Sequence, residues 1–392
     1  MNYIKLKSGR SRRGAHGHPW VYSNEVEMTA DAKTLANGSL VTLTDSGGKA
    51  QAVAMFNPRS LIAARILSPD PKATIDEGFL AGRLTRALEL RERFYDTPFY
   101  RLVNSEGDGL PGLIIDRLGD IYVLQINAAG MELLLPEILA ALDQVVSPTA
   151  VLLRNDGPLR NIEGLEPEIR WARGSHDGPV ELIENSVRFM ADPGTGQKTG
   201  WFFDHRPNRA LVAGLARGAR VLDLYCYLGG FGIQALAAGA AEAVLVDRSE
   251  TALALAGQSA ELNGLAGDCR LSRANAFDEA ERLAKAGERF DIVITDPPAF
   301  VKTKKDLGAG ARGYRKLVRL ASTLVAPGGL MFAATCSFHM SVDNFAEQIR
   351  GGLGAAERTG RIIATGGAGP DHPVHPFLAD TAYLKYQLLQ LD

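Results

Sequence analysis

The stretch that most constrains the fold runs from residue 220 to residue 249, RVLDLYCYLGGFGIQALAAGAAEAVLVDRS. Residues 220–224 form a short buried strand run, glycines 229, 230 and 232 open a helix, and 243–246 form a second apolar strand that ends at Asp247. The glycines let the backbone approach a ligand closely at a helix N-terminus, where N–H groups are free. An acidic residue ending the second strand can accept both hydroxyls of a ribose. The unit therefore predicts a nucleoside-containing cofactor.

Size and composition describe an ordinary globular chain. The 392 residues suggest roughly two to three domains. Hydrophobic residues at 46% and charged residues at 22% allow large cores to be buried. The formal net charge of −2 argues against non-specific nucleic-acid binding by the whole surface, but it leaves room for a local basic patch.

Cysteine usage and the N-terminus bear on location. Cys226, Cys269 and Cys336 are widely spaced and odd in number, which disfavours a disulfide framework or zinc knuckle and suits a reducing compartment. The N-terminus, MNYIKLKSGR, has no apolar signal core, and the sequence has no run of about 18 apolar residues. We therefore expect a cytoplasmic protein without a membrane span.

Residues 1–72 are predicted to form a small β domain with a basic edge. Strand candidates at 3–7, 40–45, 50–56 and 61–67 are separated by Gly, Asn, Asp and Pro. The candidate RNA contacts are Lys5, Lys7, Arg10, Arg12, Arg13 and Trp20. An edge that contacts phosphates beside a stacking aromatic explains this pattern. A solvated charged arm beside a core aromatic explains it as well.

Residues 73–192 are predicted to form an α+β middle domain. Helices are expected at 76–95 and 131–146, and two strands at 180–185 and 186–192 are expected to pair as a hairpin. Nothing in this region has the spacing of a catalytic constellation, so we interpret it mainly as a scaffold. The polar segment 192–209 then leads into a helix; Lys198 and Arg206 there could meet an anion, whereas local sequence favours a connector with Asp204 as a helix cap.

Residues 193–392 are predicted to form the third domain, in which strands and helices alternate. Strand candidates lie at 220–224, 243–247, 270–274, 290–295, 328–334, 361–365 and 383–391. Such alternation predicts a mostly parallel sheet with helices on both faces. Ligands of such sheets bind outside the carboxyl ends of the strands.

Two cofactor classes compete for the glycine loop. Residues 230–235, GFGIQA, fit the G-x-G-x-x-A pattern of nicotinamide enzymes, but a lone match is weak. Five residues separate the strand end from Gly230, whereas the dinucleotide turn follows its strand directly. Asp223 at the strand end suits a methyltransferase, where such an acid anchors the amino-acid portion of the cofactor. The stretch therefore favours S-adenosylmethionine.

Two further motifs lie at strand ends and indicate the chemistry. FDIVITDPPAF places Asp296 at the end of a hydrophobic strand, where acid-Pro-Pro-aromatic segments hold a flat nitrogenous base. GGLMFAATCSFHMS places Cys336 at the end of another strand, on the same sheet edge. A pyrimidine C5 is a poor nucleophile, and a thiolate that adds at C6 makes C5 able to attack a sulfonium methyl. Asp296 could favour this addition through the ring N3 and amino group, and Cys336 would need local activation because few free thiols are ionised at neutral pH.

Together with further segments, these motifs resemble those of a known family. The chain is similar to the class I S-adenosylmethionine-dependent rRNA cytosine-C5 methyltransferases of the large-subunit methyltransferase I type. The similarity covers almost the whole chain and rests on GHPWVYSNEV, YRLVNSEGDGLPGLIIDRLGD, GQKTGWFFDHRPNR, DLYCYLGGFG, DPPAF, TCS and HPVHPFLADTAYLK. The resemblance implies an N-terminal PUA-like β-barrel, an α+β middle domain that widens the RNA surface, and a Rossmann-like catalytic domain.

The resemblance also implies the site residues. It gives Cys336 as the nucleophile and Asp296 as its catalytic partner. The cofactor-binding residues that it implies are Gln197, Thr199, Phe202, Asp204, Arg206, Asp223, Tyr225, Gly229, Gly230, Phe231, Asp247, Arg248, Ser249, Asn275, Ala276, Asp296 and Pro297. The connector interpretation of 192–209 is then replaced by a segment that lines the pocket. Asn275 stands where an acid is usual, and Ala299 replaces a frequent Lys.

The implied partner is large-subunit rRNA, with no membrane and no metal, and a homodimer is one alternative for the assembly. His372 and His375 suggest a metal clip, but a rigid loop is the favoured interpretation because no further ligand has suitable spacing. Three rival functions stay open. They are an exocyclic-amine N-methyltransferase that uses DPPAF without the thiol, a catalytically silent RNA-binding assembly factor, and, more distantly, a nicotinamide oxidoreductase.

Overall fold

The computed structural model describes residues 2–9, 17–197 and 199–392. The chain folds into two compact units, each built from more than one stretch of sequence. The N-terminal unit comprises Met1–Gly178, Pro193–Trp201 and Pro370–Ala379, and the C-terminal unit comprises Pro179–Asp192, Phe202–Gly369 and Asp380–Asp392. The three-domain division after residues 72 and 192 stays a prediction.

A five-stranded sheet of order β1-β3-β4-β5-β2 begins the N-terminal unit. Its strands are β1 Asn2–Lys5, β2 Trp20–Val21, β3 Ser39–Thr44, β4 Ala50–Phe56 and β5 Ala64–Ser68, with a short helix α1 at Ala30–Thr34. β1 pairs with β3 in parallel, and the other pairs are antiparallel. Asp45 fixes the β3–β4 turn because its Oδ1 accepts hydrogen bonds from the amides of Gly47 and Lys49. The expected strands are present with shifted ends.

A second sheet of the same unit has the order β10-β9-β8-β7-β6. Its strands are β6 Phe99–Asn104, β7 Leu113–Leu118, β8 Ile121–Ile126, β9 Ala150–Asn155 and β10 Glu168–Arg173. The helices are α2 Glu77–Glu92, α3 Ala129–Leu133, α4 Leu135–Val146 and α5 Leu159–Glu163. α2 and α4 pack together over this sheet and share one apolar core with it. Asp76 caps α2, since its carboxylate accepts from the amide of Phe79 at 2.9 Å.

One helix expected from the sequence is two helices in the structure. The stretch 131–146 divides at Leu134, whose φ of −91° and ψ of 8° leave the helical region. Pro136 then lies in the first turn of α4. Proline is tolerated there because the first turn has no partner for its N–H, but in a helix interior it would break the ladder.

The C-terminal unit begins with a hairpin, β11 Val180–Glu184 and β12 Val187–Ala191. The two residues between the strands, Asn185 and Ser186, have φ of 51° and 66°. Two-residue hairpin loops require such positive φ values to match the twist of the strands. The hairpin expected from the sequence is confirmed.

A seven-stranded sheet forms the centre of the C-terminal unit, in the order β15-β14-β13-β16-β17-β19-β18. Its strands are β13 Arg220–Leu224, β14 Glu242–Asp247, β15 Cys269–Arg273, β16 Phe290–Thr295, β17 Val325–Thr335, β18 Gly360–Gly366 and β19 Lys385–Leu391. The first five neighbours in this order run parallel, and β19 is antiparallel to both β17 and β18. The mostly parallel sheet expected from the alternating pattern is confirmed.

Helices cover the two faces of this sheet. They are α6 Arg206–Ala213, α7 Gly230–Ala237, α8 Glu250–Leu262, α9 Ala276–Lys285, α10 Leu307–Leu324 and α11 Val342–Ala355. Leu222, Val244 and Val293 point to a core shared with α9, α10 and α11. The alternate residues Val221 and Leu245 are also fully buried, so the opposite face is covered too. In the described part of the chain, no helix combines the length and apolarity needed to cross a membrane.

Candidate active site

Four side chains predicted to carry the chemistry lie at the carboxyl ends of neighbouring strands. Asp223 lies in β13, Asp247 ends β14, Asp296 follows β16 and Cys336 follows β17. These strands are adjacent and parallel, so their carboxyl ends meet at one edge of the sheet. The structure thus brings the predicted motifs to a common edge.

The loop after β13 is held in a sparsely populated backbone conformation. Tyr225 and Tyr227 have φ of 67° and 50°, in the left-handed region that non-glycine residues seldom adopt. Such a conformation costs about 1–3 kcal/mol per residue and persists only where the surroundings hold it. Here the Cys226 amide donates to Val246 O at 3.0 Å, and the Tyr227 amide donates to Asp247 Oδ2 at 3.0 Å. The loop is therefore fastened to the end of β14.

Glycines allow α7 to begin close to its neighbours. A Cβ at Gly232 would lie 2.1 Å from Leu245 Cδ2, and a Cβ at Gly230 would lie 2.6 Å from Arg209 Nε. Gly229 has a φ of 77° and immediately precedes the helix. The first turn of α7 therefore presents its amides at the same edge of the sheet as Asp223.

Asp223 is a buried carboxylate with one unpaired oxygen. The side chain is 1% exposed, its Oδ2 accepts from the amide of Gly232 at 3.1 Å, and its Oδ1 has no partner among the described residues. Burial is the main cause that raises the pKa of Asp223 to about 7. A cationic donor from a ligand would both satisfy this oxygen and favour the ionised form.

Asp247 has the fixed orientation that a ribose-binding carboxylate needs. Its Oδ1 accepts from the Ser249 amide at 2.8 Å, while its Oδ2 accepts from Tyr227. Each carboxylate oxygen can accept a second hydrogen bond. Arg248 beside it is exposed, and the Ser249 hydroxyl is occupied as the cap of α8, where it accepts from Ala252.

Asn275 immediately precedes α9, as Ser249 immediately precedes α8. Its Oδ1 accepts from the amide of Phe277 at 2.9 Å, which makes it the N-cap of that helix. Ala276 is buried in the first turn. The side-chain carbonyl of Asn275 is therefore bonded to the first turn of α9, and its side-chain NH₂ is the group left to face a ligand.

A buried charge cluster lies behind the glycine loop, and the sequence did not reveal it. Glu184 is 1% exposed and accepts from Arg209 Nη1 at 2.7 Å and from Gln234 Nε2 at 2.9 Å. Arg206 Nε lies 3.6 Å from the other oxygen of Glu184. Two guanidinium groups thus approach one buried carboxylate. Buried Arg pairs of this kind suit a carboxylate ligand.

Asp296 is oriented by a histidine that the sequence analysis did not select. His205 Nε2 lies 3.1 Å from Asp296 Oδ2, and His205 Nδ1 lies 3.0 Å from Asn208 Nδ2. The Asn208 amide also donates to Gly367 O at 3.1 Å, which fixes Nδ2 as the atom facing the ring. The lone pair of His205 is therefore on Nδ1 and its proton on Nε2, which donates to Asp296.

The charge of His205 is subject to opposing influences. Burial is the largest influence and lowers its pKa, but the charge and hydrogen bond of Asp296 outweigh burial, so the pKa of His205 is raised. The donor of Asn208 opposes a second ring proton because it would meet an N–H. In both protonation states Nε2 donates to Asp296.

A buried hydroxyl network fixes the position of Cys336. Tyr314 from α10 accepts from Thr335 Oγ1 at 2.7 Å and lies 2.8 Å from Ser337 Oγ. Ser337 Oγ in turn accepts from the amide of Val301, just beyond the DPPAF loop, at 3.1 Å. The residues on both sides of Cys336 are thus tied to the loop that carries Asp296. Cys336 Sγ itself lies 3.9 Å from Pro297 O.

Lys385 brings a positive charge to the thiol. It is the register partner of Thr335 in the β17–β19 pair, and its Nζ donates to Ser337 O at 3.3 Å. Among the described residues no carboxylate lies within salt-bridge distance of it. The pKa of Lys385 is lowered overall, because burial lowers it more than the charge of Cys336 raises it. An ammonium group so placed favours the thiolate of Cys336.

The other two cysteines are poor nucleophile candidates. Burial raises the pKa of Cys226 well above its usual value. Burial likewise raises the pKa of Cys269 to about 11. Among the described residues, no group of three His, Cys, Asp or Glu side chains could hold a metal ion.

The segment 192–209 is divided between the units. Phe202 contacts Tyr227 edge-on with ring centroids 5.3 Å apart, and Asp204 accepts from the Tyr383 hydroxyl at 2.6 Å instead of capping α6. Gln197 and Thr199 belong to the N-terminal unit, where the Thr199 hydroxyl donates to Asp116. The cofactor contacts predicted for Gln197 and Thr199 therefore stay predictions, and Lys198 lies outside the described residues.

The predicted RNA contacts also lie in the N-terminal unit. Lys5 pairs with Glu27 at 3.4 Å, and Lys7 donates to Asn24 O at 3.0 Å. Trp20 Nε1 donates to Glu106 at 2.8 Å. Arg10, Arg12 and Arg13 lie outside the described residues. The RNA-binding role of this set stays a prediction.

Comparisons with known proteins agree with this fold. Residues 4–69 match the family model of a PUA-like domain, and residues 164–352 match that of an S-adenosylmethionine-dependent methyltransferase. A protein from Streptococcus mutans, described with its structure as "a putative sam-dependent methyltransferase", has a TM-score of 0.82 at 23% identity over 100% of both chains. A methyltransferase structure complexed with SAH has a TM-score of 0.83 at 22% identity, again over 100% of both chains. The fold and the family models define a class I S-adenosylmethionine-dependent methyltransferase with a PUA-like domain.

Full-length relatives narrow the assignment. A protein from Erwinia tasmaniensis named ribosomal RNA large subunit methyltransferase I is 35% identical over 386 residues, which cover 97% of each chain. A protein of the same name from Aeromonas salmonicida is 34% identical over 388 residues and 98% of each chain. The chain belongs to the ribosomal RNA large subunit methyltransferase I family, and its cofactor is S-adenosylmethionine.

Proposed function

We propose that this protein methylates C5 of a cytosine in large-subunit ribosomal RNA, with Cys336 as a covalent nucleophile. The relatives' names support ribosomal RNA as the substrate. The choice of cytosine C5 is supported by a thiol and a carboxylate at one sheet edge, on two loops that hydrogen bonds join through Val301, Ser337 and Pro297. An exocyclic-amine methyltransferase would need Asp296 but would have no use for the positioned thiol.

Cys336 and Asp296 act on different atoms of the base. Cys336 Sγ bonds to C6 of the ring, and the electron pair of the C5–C6 double bond moves so that C5 becomes nucleophilic. Asp296 faces N3 and the amino group and favours this addition. When bound, S-adenosylmethionine supplies an electrophilic methyl group for C5. A base or water then takes the C5 proton, the electron pair of the C5–H bond re-forms the C5–C6 double bond, and Cys336 leaves C6 as the thiolate.

The cofactor is held by this chain's own edge residues. Asp223 Oδ1 is a buried acceptor that the ammonium of the methionine moiety would satisfy. The guanidinium groups of Arg206 and Arg209, which lie beside Glu184, are proposed to attract its carboxylate. Asp247 is oriented to accept the ribose hydroxyls, and Asn275 offers its amide NH₂ to the adenine side. All of these roles are expectations from geometry.

The target base must leave its stack to reach an edge where the thiol is half-buried. The N-terminal unit is proposed to supply affinity through phosphate contacts, while the catalytic pocket selects the base. A protein that acts on ribosomal RNA is proposed to work in the cytoplasm.

Nucleoside analysis after methyl transfer tests the proposal. The protein is incubated with methyl-labelled S-adenosylmethionine and unmodified large-subunit rRNA, which is then digested to nucleosides. Label in 5-methylcytidine is the expected result. Label in an N-methylated base would replace the thiol mechanism with amine methylation, and no label despite confirmed cofactor binding would favour a non-catalytic RNA-binding role.

Cys336→Ala provides the matching residue test. We expect it to abolish methyl transfer and the SDS-stable adduct with 5-fluorocytidine-substituted RNA, because it removes the thiol that is proposed to bond to C6. Its affinity for S-adenosylmethionine should stay within about twofold. Cys269→Ala is the control, since Cys269 lies in β15 and its pKa is raised by burial. Near-normal turnover of Cys336→Ala would refute the nucleophile assignment.

A further inference from the structure

A cavity of about 430 Å³ lies within the N-terminal unit. The sheet edge that carries Asp223, Asp296 and Cys336, here called the methyl-transfer edge, belongs to the C-terminal unit. One wall is apolar and comes from the first sheet and its connections, including Leu6, Val21, Leu43, Ile66 and Leu67. Polar groups enter from three other places: His18 before β2, Arg83 on α2, and His375 in the late segment of the unit. The volume is sufficient for one nucleotide, and the division into apolar and polar walls is typical of small-molecule sites.

Arg83 is an unusual cation in this cavity. Its Nη2 donates to Leu67 O at 3.0 Å, but no carboxylate of the described residues lies within salt-bridge distance of the guanidinium. Its Nε is buried without a hydrogen-bond partner among those residues. Burial is the main cause that lowers the pKa of Arg83, and repulsion from Arg86 adds to it. A half-buried guanidinium without a counter-ion is costly unless an anion binds beside it.

The guanidinium is also held in place. Its Cζ lies 5.2 Å from the centre of the Phe79 ring. Gly109, with a φ of 71°, leaves room for it, because a Cβ there would lie 2.2 Å from Arg83 Nη1. Gly109 therefore leaves the space through which Arg83 reaches the cavity.

Two imidazole rings line the same cavity. His375 Nδ1 accepts from the Phe377 amide at 3.3 Å, so its proton is on Nε2, where it can donate to a ligand. His18 Nδ1 lies 3.1 Å from the Trp20 amide nitrogen and 3.0 Å from Trp20 O, so both tautomers of this ring find a partner there and its Nε2 can either donate or accept. Burial lowers the pKa of His375, and the charge of His18 lowers it further, so the two rings lie close enough to repel when protonated.

The Glu106 carboxylate on the cavity wall already has partners within the protein. One of its oxygens accepts from Trp20 Nε1 at 2.8 Å and the other from the Ser105 hydroxyl at 2.5 Å. The amide NH₂ of Gln51 donates to Asp45 at 3.0 Å. Among the described lining residues, the groups that suit an anionic ligand are therefore the Arg83 guanidinium and the two imidazole rings. These are phosphate-binding groups.

We propose that this cavity binds the phosphate group of one nucleotide, on Arg83, His18 and His375, with the sugar or base against the apolar wall. The shared chemistry is a phosphate ester, and its source is either an RNA strand or a free nucleotide. The site does not depend on which base is methylated, because none of its residues lies in the C-terminal unit.

Binding measurements on the full chain test the site and distinguish the two sources. The probes are inorganic phosphate, cytidine and adenosine 5′-monophosphates, and a large-subunit rRNA fragment. The variant is Arg83→Gln, and the matched control is Arg86→Gln, an exposed arginine one turn along the same helix. We expect Arg83→Gln to weaken binding of at least one probe by about tenfold, whereas Arg86→Gln stays within about twofold.

Each outcome decides between the alternatives. Loss of rRNA affinity alone identifies an RNA phosphate, and loss of mononucleotide affinity identifies a free nucleotide. Equal effects of the two variants, or no effect on any probe, would overturn the proposal. A measurement on the unmodified protein avoids any folding defect: added phosphate should shift the NMR signals of the His18 and His375 rings, and unchanged signals of both rings would also overturn the proposal.

Discussion

Single side chains decide the geometry of the methyl-transfer edge. Asp296 could rotate freely at the end of β16, but His205 Nε2 holds one of its oxygens at 3.1 Å. Asn208 holds the ring in turn, and Gly367 O holds Asn208. The chain of hydrogen bonds leaves the second oxygen of Asp296 for the base. His205 is thus a positioning residue, because it acts through Asp296.

Substitution of His205 should separate positioning from cofactor binding. His205→Leu removes the donor to Asp296, and we expect kcat to fall on the order of 100-fold, as misplacement of a reacting group does. His205→Gln retains an N–H that can reach Asp296 and should recover most of the activity. Steady-state kinetics and S-adenosylmethionine affinity check both variants. Equal loss in the two variants would show that the ring packs without orienting Asp296.

Lys385 should control the reactivity of Cys336. Because its ammonium favours the thiolate, Lys385→Met should slow alkylation of Cys336 by iodoacetamide at pH 7.5 by about tenfold. Lys385→Arg keeps the charge and should stay close to the unmodified protein. Mass spectrometry gives the rate at each cysteine, and Cys269 in the same sample is the internal reference. Unchanged alkylation of Cys336 in Lys385→Met would exclude this role.

At the scale of elements, α10 joins two loops that the sequence separates. Tyr314 reaches from this helix to Thr335 and Ser337 beside the nucleophile, and Ser337 reaches the amide of Val301. The helix, the DPPAF loop and the thiol loop therefore keep a common geometry. Their positions depend on one phenol that is 1% exposed.

Tyr314→Phe should destabilise this junction. Removal of the hydroxyl leaves Thr335 and Ser337 without their buried partner, which costs about 1–3 kcal/mol in the free energy of unfolding. Tyr386→Phe is the matched control: its ring stacks on Phe332 at 4.9 Å and stays in place, so the change should stay within about 0.5 kcal/mol. Urea denaturation measures both variants. An unaltered midpoint in Tyr314→Phe would show that the network contributes little.

The sequence predicted the strands and helices more completely than the contacts between side chains. Every strand of the seven-stranded sheet was expected, and so was the common edge of Asp223, Asp296 and Cys336, because parallel strands align their carboxyl ends. The pairing of His205 with Asp296 joins residues far apart in sequence and depends on where α6 packs. Lys385 reaches Cys336 only because β19 lies beside β17, an order that no local pattern encodes.

At the scale of the whole molecule, the ionisation of Asp223 makes both the stability of the fold and cofactor binding depend on pH. Its folded pKa of about 7 exceeds its ordinary value of 3.8, so ionisation costs the folded protein free energy. The contribution of this group to stability is complete below about pH 4 and declines as the pH rises to 7. Above pH 7 the carboxylate is ionised and ready for a cationic ligand.

Cofactor binding should therefore depend on pH in a defined direction. Below pH 7 the ammonium of S-adenosylmethionine must displace a proton from Asp223, so affinity should fall by up to about tenfold per pH unit. Between pH 7 and about pH 8, where the α-amino group of the cofactor begins to lose its own proton, the affinity should change little. Calorimetry at pH 6 and 8, in buffers of different ionisation enthalpy, measures the affinity and the protons released. Asp223→Asn should bind weakly and without this proton release; persistent release in that variant would assign the proton to another group.

The position of β19 has a consequence for how the protein is made. Residues 385–391 are translated after every other strand, yet they lie between β17 and β18 in the sheet. Until they leave the ribosome, β17 has an unpaired edge and β18 has no neighbour. Lys385 arrives with the same strand. A partly synthesised chain that lacks β19 therefore has the thiol of Cys336 without its cation, so chemical competence requires β19 to have joined the sheet.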